Sequence, residues 1–293
     1  MKALLVLLAL GGVAHADPMF AYDHDGTLVV GQAGADALTT AYAEPNAGAL
    51  QYAWTDAHTL WVLRAQKGVF SIEKIVDGKP DKPRVLVHAD WKPEPAGKPA
   101  STVPIMYVTQ TGEVWLQRCV SIVSVDNHER CPVKYLRVDA RAELLDKRPK
   151  DVRDDDGLPQ PDEDKTYGPQ KLAGPKGYMF QVIQNGFSCK GPKHSLPFKG
   201  GTRWVERAVW VSSDPPIVRF TVNKFDDFSE LPEGQDDGTG EFFLEDCTTF
   251  LVDVKLVAPG IVATTEGGGA WKLRRGAQVL GTFTAKHVET APR

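Results

Sequence analysis

The stretch FAYDHDGTLVVG, residues 20–31, poses the question that decides the fold. Asp23-His24-Asp25-Gly26-Thr27 is either a reactive loop at the end of a strand or the corner of a β-hairpin. Two other stretches align with it without gaps, YAWTDAHTLWVL at 52–63 and MYVTQTGEVWLQ at 106–117. Each has three mostly apolar residues, a polar four-residue corner and a second apolar run. The runs are rich in Val, Trp, Tyr and Leu, which fit a pleated sheet. Two such runs joined by a corner with Gly or Asp read as a hairpin. The other corners, Thr55-Asp56-Ala57-His58 and Thr109-Gln110-Thr111-Gly112, lack the carboxylate pair. All three need a turn: Asp bonds to its own backbone there, and Gly accepts positive φ without a steric penalty.

The first corner also resembles the first motif of the haloacid dehalogenase superfamily, an apolar strand running into Asp-x-Asp-Gly-Thr. The resemblance implies Asp23 as nucleophile and Asp25 as acid/base. That fold alternates strands with helices around a parallel sheet, and this chain offers almost no amphipathic helix. The modest helical candidates are Asp36 to Ala43 and Ala140 to Asp146, stopped by Pro45 and Pro149. No later Lys followed by a strand-end carboxylate pair completes a Mg²⁺ site. The motif at 23–27 therefore reads as coincidental: turn chemistry first, a cation contact second, a phosphatase last.

Looser hairpins follow at AVWVSSDPPIVRF (208–220) and AWKLRRGAQVLGTF (270–283). Trp61, Trp115, Trp210 and Trp271 lie 54, 95 and 61 residues apart, so one gap is close to two steps. A step near 50 residues suits a four-stranded blade, since blade repeats run to roughly 40–50 residues. The repeat resembles that of secreted bacterial β-propeller proteins. The resemblance implies an all-β, irregular propeller of five or six blades, with two β-sandwich-like domains as the alternative. The first spacing, from 20 to 52, is short, as in a ring closed by an N-terminal strand from another blade.

Residues 1–16 read as a signal peptide: Lys2, an apolar core ALLVLLAL (3–10) and Ala14-His15-Ala16 before Asp17. The core is too short to span a bilayer, which takes roughly 20 apolar residues. The expectation is a soluble product, periplasmic or extracellular, with no membrane span after cleavage. Four cysteines in an exported chain favour disulfides. Cys119–Cys131 and Cys189–Cys247 is the preferred pairing among three, because each pair lies on one side of a charged segment. A net charge of −4 and scattered basic residues argue against a nucleic-acid partner.

That charged segment, 147–177, holds five prolines and four glycines and reads as a linker or long loop between β regions 17–146 and 178–293. Within it, Asp154, Asp156 and Glu163 match positions three, five and twelve of an EF-hand-type loop, with Gly157 at six. They are the candidate ligands for Ca²⁺, the one cofactor the sequence suggests. Val152 at position one, Pro159 and Pro161 depart from the pattern. Ser71-Ile72-Glu73-Lys74 has S-x-x-K spacing without a partner motif, and Ser188 lacks the final Gly of a nucleophile elbow. Asp56-x-His58 and His88-x-Asp90 join a site only if the fold brings them together. Trp91 and Trp204, outside the hairpins, are candidates for a binding surface.

No catalytic residue follows from these patterns. The expected function is an exported, non-catalytic β-scaffold that binds a protein or carbohydrate ligand. The alternatives are a secreted hydrolase with loop-borne catalytic residues and a calcium-stabilised extracellular module.

Overall fold

The computed structural model describes residues 17–66, 69–85, 104–119, 123–125, 128–130, 133–138, 144–145, 147–153, 157–160, 171–183, 186–193, 195–199, 204–223 and 240–292. They form an all-β structure of small antiparallel sheets that follow one another along the chain. The first sheet holds β1 (Met19–His24), β2 (Thr27–Ala33) and β3 (Leu38–Glu44). The second holds β4 (Ala49–Trp54), β5 (Thr59–Gln66), β6 (Val69–Val76) and the short β7 (Lys79–Pro80) and β8 (Arg84–Val85). The third holds β9 (Ile105–Val108), β10 (Val114–Cys119), β13 (Val133–Arg137) and β14 (Leu144–Leu145), with the ribbon β11 (Val123–Val125) and β12 (His128–Arg130) inserted. The fourth holds β15 (Lys171–Ala173), β16 (Met179–Ile183), β17 (Gly186–Lys190) and β18 (Ser195–Lys199). The fifth holds β19 (Trp204–Ser213), β20 (Pro216–Asn223), β21 (Gly240–Glu245) and β22 (Thr249–Leu251). The sixth holds β23 (Asp253–Ala258), β24 (Ile261–Thr265), β25 (Ala270–Arg275) and β26 (Gln278–Thr284). The last strand, β27 (Val288–Thr290), returns to the first sheet and pairs with β1. Apart from the inserted ribbon, the described strands thus form six small sheets of four or five strands each.

The opening stretch is the hairpin β1–β2. Asp25 (φ 47°) and Gly26 (φ 76°) form its two-residue corner, both left-handed as a type I′ turn requires. The second corner is tied by Asp56, whose Oδ1 accepts from the amides of His58 and Thr59, each at 2.8 Å. The third uses Thr109, whose Oγ1 accepts from the Glu113 amide at 3.0 Å. The three hairpins differ in place, however. β1–β2 joins the second and third strands of its sheet, whereas β4–β5 and β9–β10 join the first and second. The first sheet lacks a first strand of its own until β27 supplies it, so the added strand comes from the C-terminal rather than the N-terminal end of the chain, and this explains the short spacing from 20 to 52.

The helical candidate at 36–43 is instead largely β3. Its residues pair with β2 from Ala33↔Leu38 to Leu28↔Glu44, and ladder bonds along the whole segment override local helix propensity. Of the second helical candidate, 144–145 form β14 and pair with β13.

Five pairs of neighbouring sheets pack face to face over apolar clusters. Phe20, Tyr22 and Val288 of the first sheet meet Trp271 and Leu273 of the sixth. Ala21 and Val30 meet Trp54 and Leu60 of the second. Leu63 and Ile72 meet Met106 and Leu116 of the third. Phe180 and Phe187 of the fourth meet Phe220 and Phe242 of the fifth. Ile217 and Phe243 of the fifth meet Val254 and Val262 of the sixth. Buried ion pairs lock two of these junctions. Arg64 on β5 lies 2.7 Å from Glu44 of β3 and 2.5 Å from Glu73 of β6, and donates to the Ala47 carbonyl at 2.8 Å. Arg274 on β25 grips Glu245 of β21 with both terminal nitrogens. Cys189 and Cys247 form a disulfide across the junction of the fourth and fifth sheets.

Candidate functional site

A strand with a neighbour on one side only leaves backbone groups to be satisfied elsewhere. β4, β9, β23 and β27 each end their sheets in this way, and all four line one cavity of about 930 Å³. Side chains cap the open edges of β4, β9 and β27. Tyr52 donates its hydroxyl to the His287 carbonyl at 3.0 Å, and the Trp54 indole donates to that of Glu289 at 3.3 Å. Gln51 accepts from the Met106 amide at 2.5 Å. Arg153 donates to the carbonyls of Trp54, Thr55 and Gln110 at 2.9, 3.1 and 3.4 Å.

Arg153 and Gly157 both border the cavity, and Leu158 is buried in the cluster between the fifth and sixth sheets. Thr109 forms a β-bridge with Val152. Parts of the charged segment 147–177 are thus built into the cavity wall.

The acidic side of the wall comes from the first sheet. Tyr22 pairs with Val288, so Asp23 and His287 are the next cross-strand neighbours, and Glu289 lies two residues on, on the same face. His287 Nε2 lies 2.7 Å from Glu289 Oε1. The Tyr52 ring lies 5.8 Å from that of His287. Burial, followed by the charges of Asp23 and Glu289, pushes the Tyr52 hydroxyl well above its ordinary pKa, so it remains a neutral donor. Lys255 enters from β23, its Nζ 3.7 Å from Asp253.

The residues singled out in the sequence are scattered. Asp25 projects into solvent at the hairpin tip, with 86% of its side chain exposed, while Asp23 borders the cavity, so the two carboxylates do not face one site. Asp154, Asp156 and Glu163 lie outside the described residues, as do Cys131, His88, Asp90, Trp91 and the side chains of Cys119 and Trp204. His58 is exposed and bonds to Asp77 at 2.8 Å. Ser71 and Lys74 sit three apart on β6 and so point to opposite faces. Ser188 lies within β17 beside the bonded Cys189. Among the described residues, no cluster of His, Cys, Asp or Glu is placed to hold a metal ion, and no helix is long and apolar enough to cross a membrane. The disulfide is chemistry of an oxidising compartment. Sequence reasoning missed Tyr52, Arg153, Lys255, His287 and Glu289. The alternation of His287, Val288 and Glu289 was the only local signal.

No family model and no curated protein matches the chain. Among solved structures it is similar to TolB from Acinetobacter baumannii, at 12% identity over 95% of this chain and 67% of that one, TM-score 0.34. It is similar to a functionally unknown protein from Desulfotomaculum acetoxidans DSM 771, at 12% identity over 96% and 91%, TM-score 0.30. It is also similar to YCF48 from Cyanidioschyzon merolae, at 8% identity over 94% and 87%, TM-score 0.19.

Proposed function

We propose that the chain is an exported six-bladed β-propeller that binds a small ligand in its axial cavity without transforming it. One observation carries this reading: the terminal strands of four different sheets converge on a single cavity. The capped strand edges support it too, because a wall whose backbone is already satisfied reads a ligand through side chains. Pairing of β27 with β1 fits the closure of a propeller by its two chain ends. The leader-like residues 1–16 and the Cys189–Cys247 disulfide support export.

The test is a ligand panel of sugars, amino acids and alkylamines, applied to the full chain expressed with its leader and purified. Leu50 lines the cavity and is 40% exposed, so L50W narrows the cavity with little effect on the core. A ligand that raises the melting temperature of the parent by several degrees, and not that of L50W, places binding in the cavity. Equal shifts in both proteins would place it elsewhere. The His287–Glu289 pair favours a second reading, a hydrolase. Turnover of nitrophenyl esters or glycosides that disappears in H287A would establish it.

A further inference from the structure

The charged groups of the cavity wall are nearly all committed. Lys255 faces Asp253, His287 is bonded to Glu289, and Arg153 is spent on three backbone carbonyls. Asp23 is the exception. Its side chain is half-buried and borders the cavity, and among the described residues none donates a hydrogen bond to its carboxylate or forms an ion pair with it. A carboxylate partly withdrawn from water and lacking a protein cation attracts one from outside. Glu289 stands on the same face with one oxygen engaged by His287, which leaves the other as a second acceptor. The Tyr52 ring lies 5.8 Å from that of His287, and its hydroxyl feels the charges of both Asp23 and Glu289; an aromatic flank suits an alkylammonium group. Toward the start of β4 the lining turns apolar at Ala49 and Leu50.

We infer that the cavity binds a small organic cation whose primary ammonium group pairs with Asp23 and Glu289, its alkyl part lying toward Leu50. This rests on the reading of the cavity as the binding site. It also separates the two carboxylates of the opening motif: Asp25 makes the turn and Asp23 holds the ligand.

The experiment is a calorimetric titration of the full-length protein with n-pentylamine and with its neutral counterpart, n-pentanol. Four proteins are compared: the parent, D23N, D25N and L50W. The expected result is saturable amine binding, at least about tenfold tighter than the alcohol. D23N should lose that preference and D25N keep it. D23N should melt like the parent, so a loss is not a folding failure. Amine and alcohol binding equally, or amine binding unchanged in D23N, overturns the cation assignment. So does absence of amine binding while a sugar or amino acid from the panel binds in an L50W-sensitive way, and in that case the cavity reading stands. If nothing in the panel binds in an L50W-sensitive way, both readings fall.

Discussion

The hydroxyl of Tyr52 donates a hydrogen bond to the carbonyl oxygen of His287, 235 positions further along the chain. The bond joins the first strand of the second sheet to the segment that completes the first sheet. Trp54 and Glu289 repeat the connection at the same separation. Y52F leaves a part-buried carbonyl without its donor and is expected to cost about 1–2 kcal/mol. Deleting residues 288–293 removes β27 and should lower the melting temperature far more. A deletion variant that melts like the parent would show that the closing strand contributes nothing to stability.

Alkaline pH should expose the tyrosines at the junction of the first two sheets. Tyr42 is pushed up to about 12 by burial, helped by its 2.6 Å hydrogen bond to Glu44. An unfolded tyrosine ionises near 10. The folded group therefore binds its proton more tightly, so its contribution is complete below about pH 10 and is lost as the pH rises through about 12. Tyr52 shifts in the same direction. Unfolding free energy measured across this window should fall steeply, and Y42F should flatten the fall. An unchanged slope in Y42F would exclude this tyrosine as a source.

Arg64 is 3% exposed and holds Glu73, itself 7% exposed, together with Glu44. R64M removes the cation and strands Glu73 in the interior, for an expected loss of about 3–5 kcal/mol. Adding E73Q should recover part of that loss, because the stranded charge is what makes the single variant costly. Denaturant titration of the parent, the single and the double variant measures both values.

The disulfide ties β17 to the turn after β21 across 58 residues of sequence. In the chain-entropy model a loop of that length contributes about 4 kcal/mol. The double variant C189A/C247A should therefore unfold at clearly lower denaturant, and a reducing agent should shift the parent toward it. The variant itself should be insensitive to reductant, unless another bridge contributes.

The corner at Asp25 and Gly26 tests turn chemistry directly. A Cβ on Gly26 meets nothing within 4 Å, so its cost comes from the positive φ alone. G26A should lose about 1 kcal/mol. D25N should be neutral, since Asn-Gly is a preferred type I′ pair. A large loss in D25N, seen by thermal melting, would mean that the carboxylate does more than turn the chain.

Much of the fold was legible locally. The hairpins at 20–31, 52–63, 106–117, 208–220 and 270–283 follow from alternating β-formers around Asp, Thr, Gly and Pro corners, and each of these signals lies within about a dozen residues. The stretch at 36–43 carries a helical pattern locally, but ladder pairing with β2, rather than propensity, decides an outer strand. The position of each hairpin within its sheet was also invisible, because β27 is contributed from the far end of the chain.

The sequence by itself determined the strand content, the turn nature of Asp25-Gly26 and the cysteines available for bridging. It did so because turn geometry and β-propensity are properties of neighbouring residues. Only the tertiary structure decided that Asp23, Tyr52, His287 and Glu289 share a wall, that Arg153 caps the open end of β4, and that Leu158 is buried between two sheets. Those relations depend on which sheet faces which, and that is set by packing of surfaces tens to hundreds of residues apart, which no local pattern encodes.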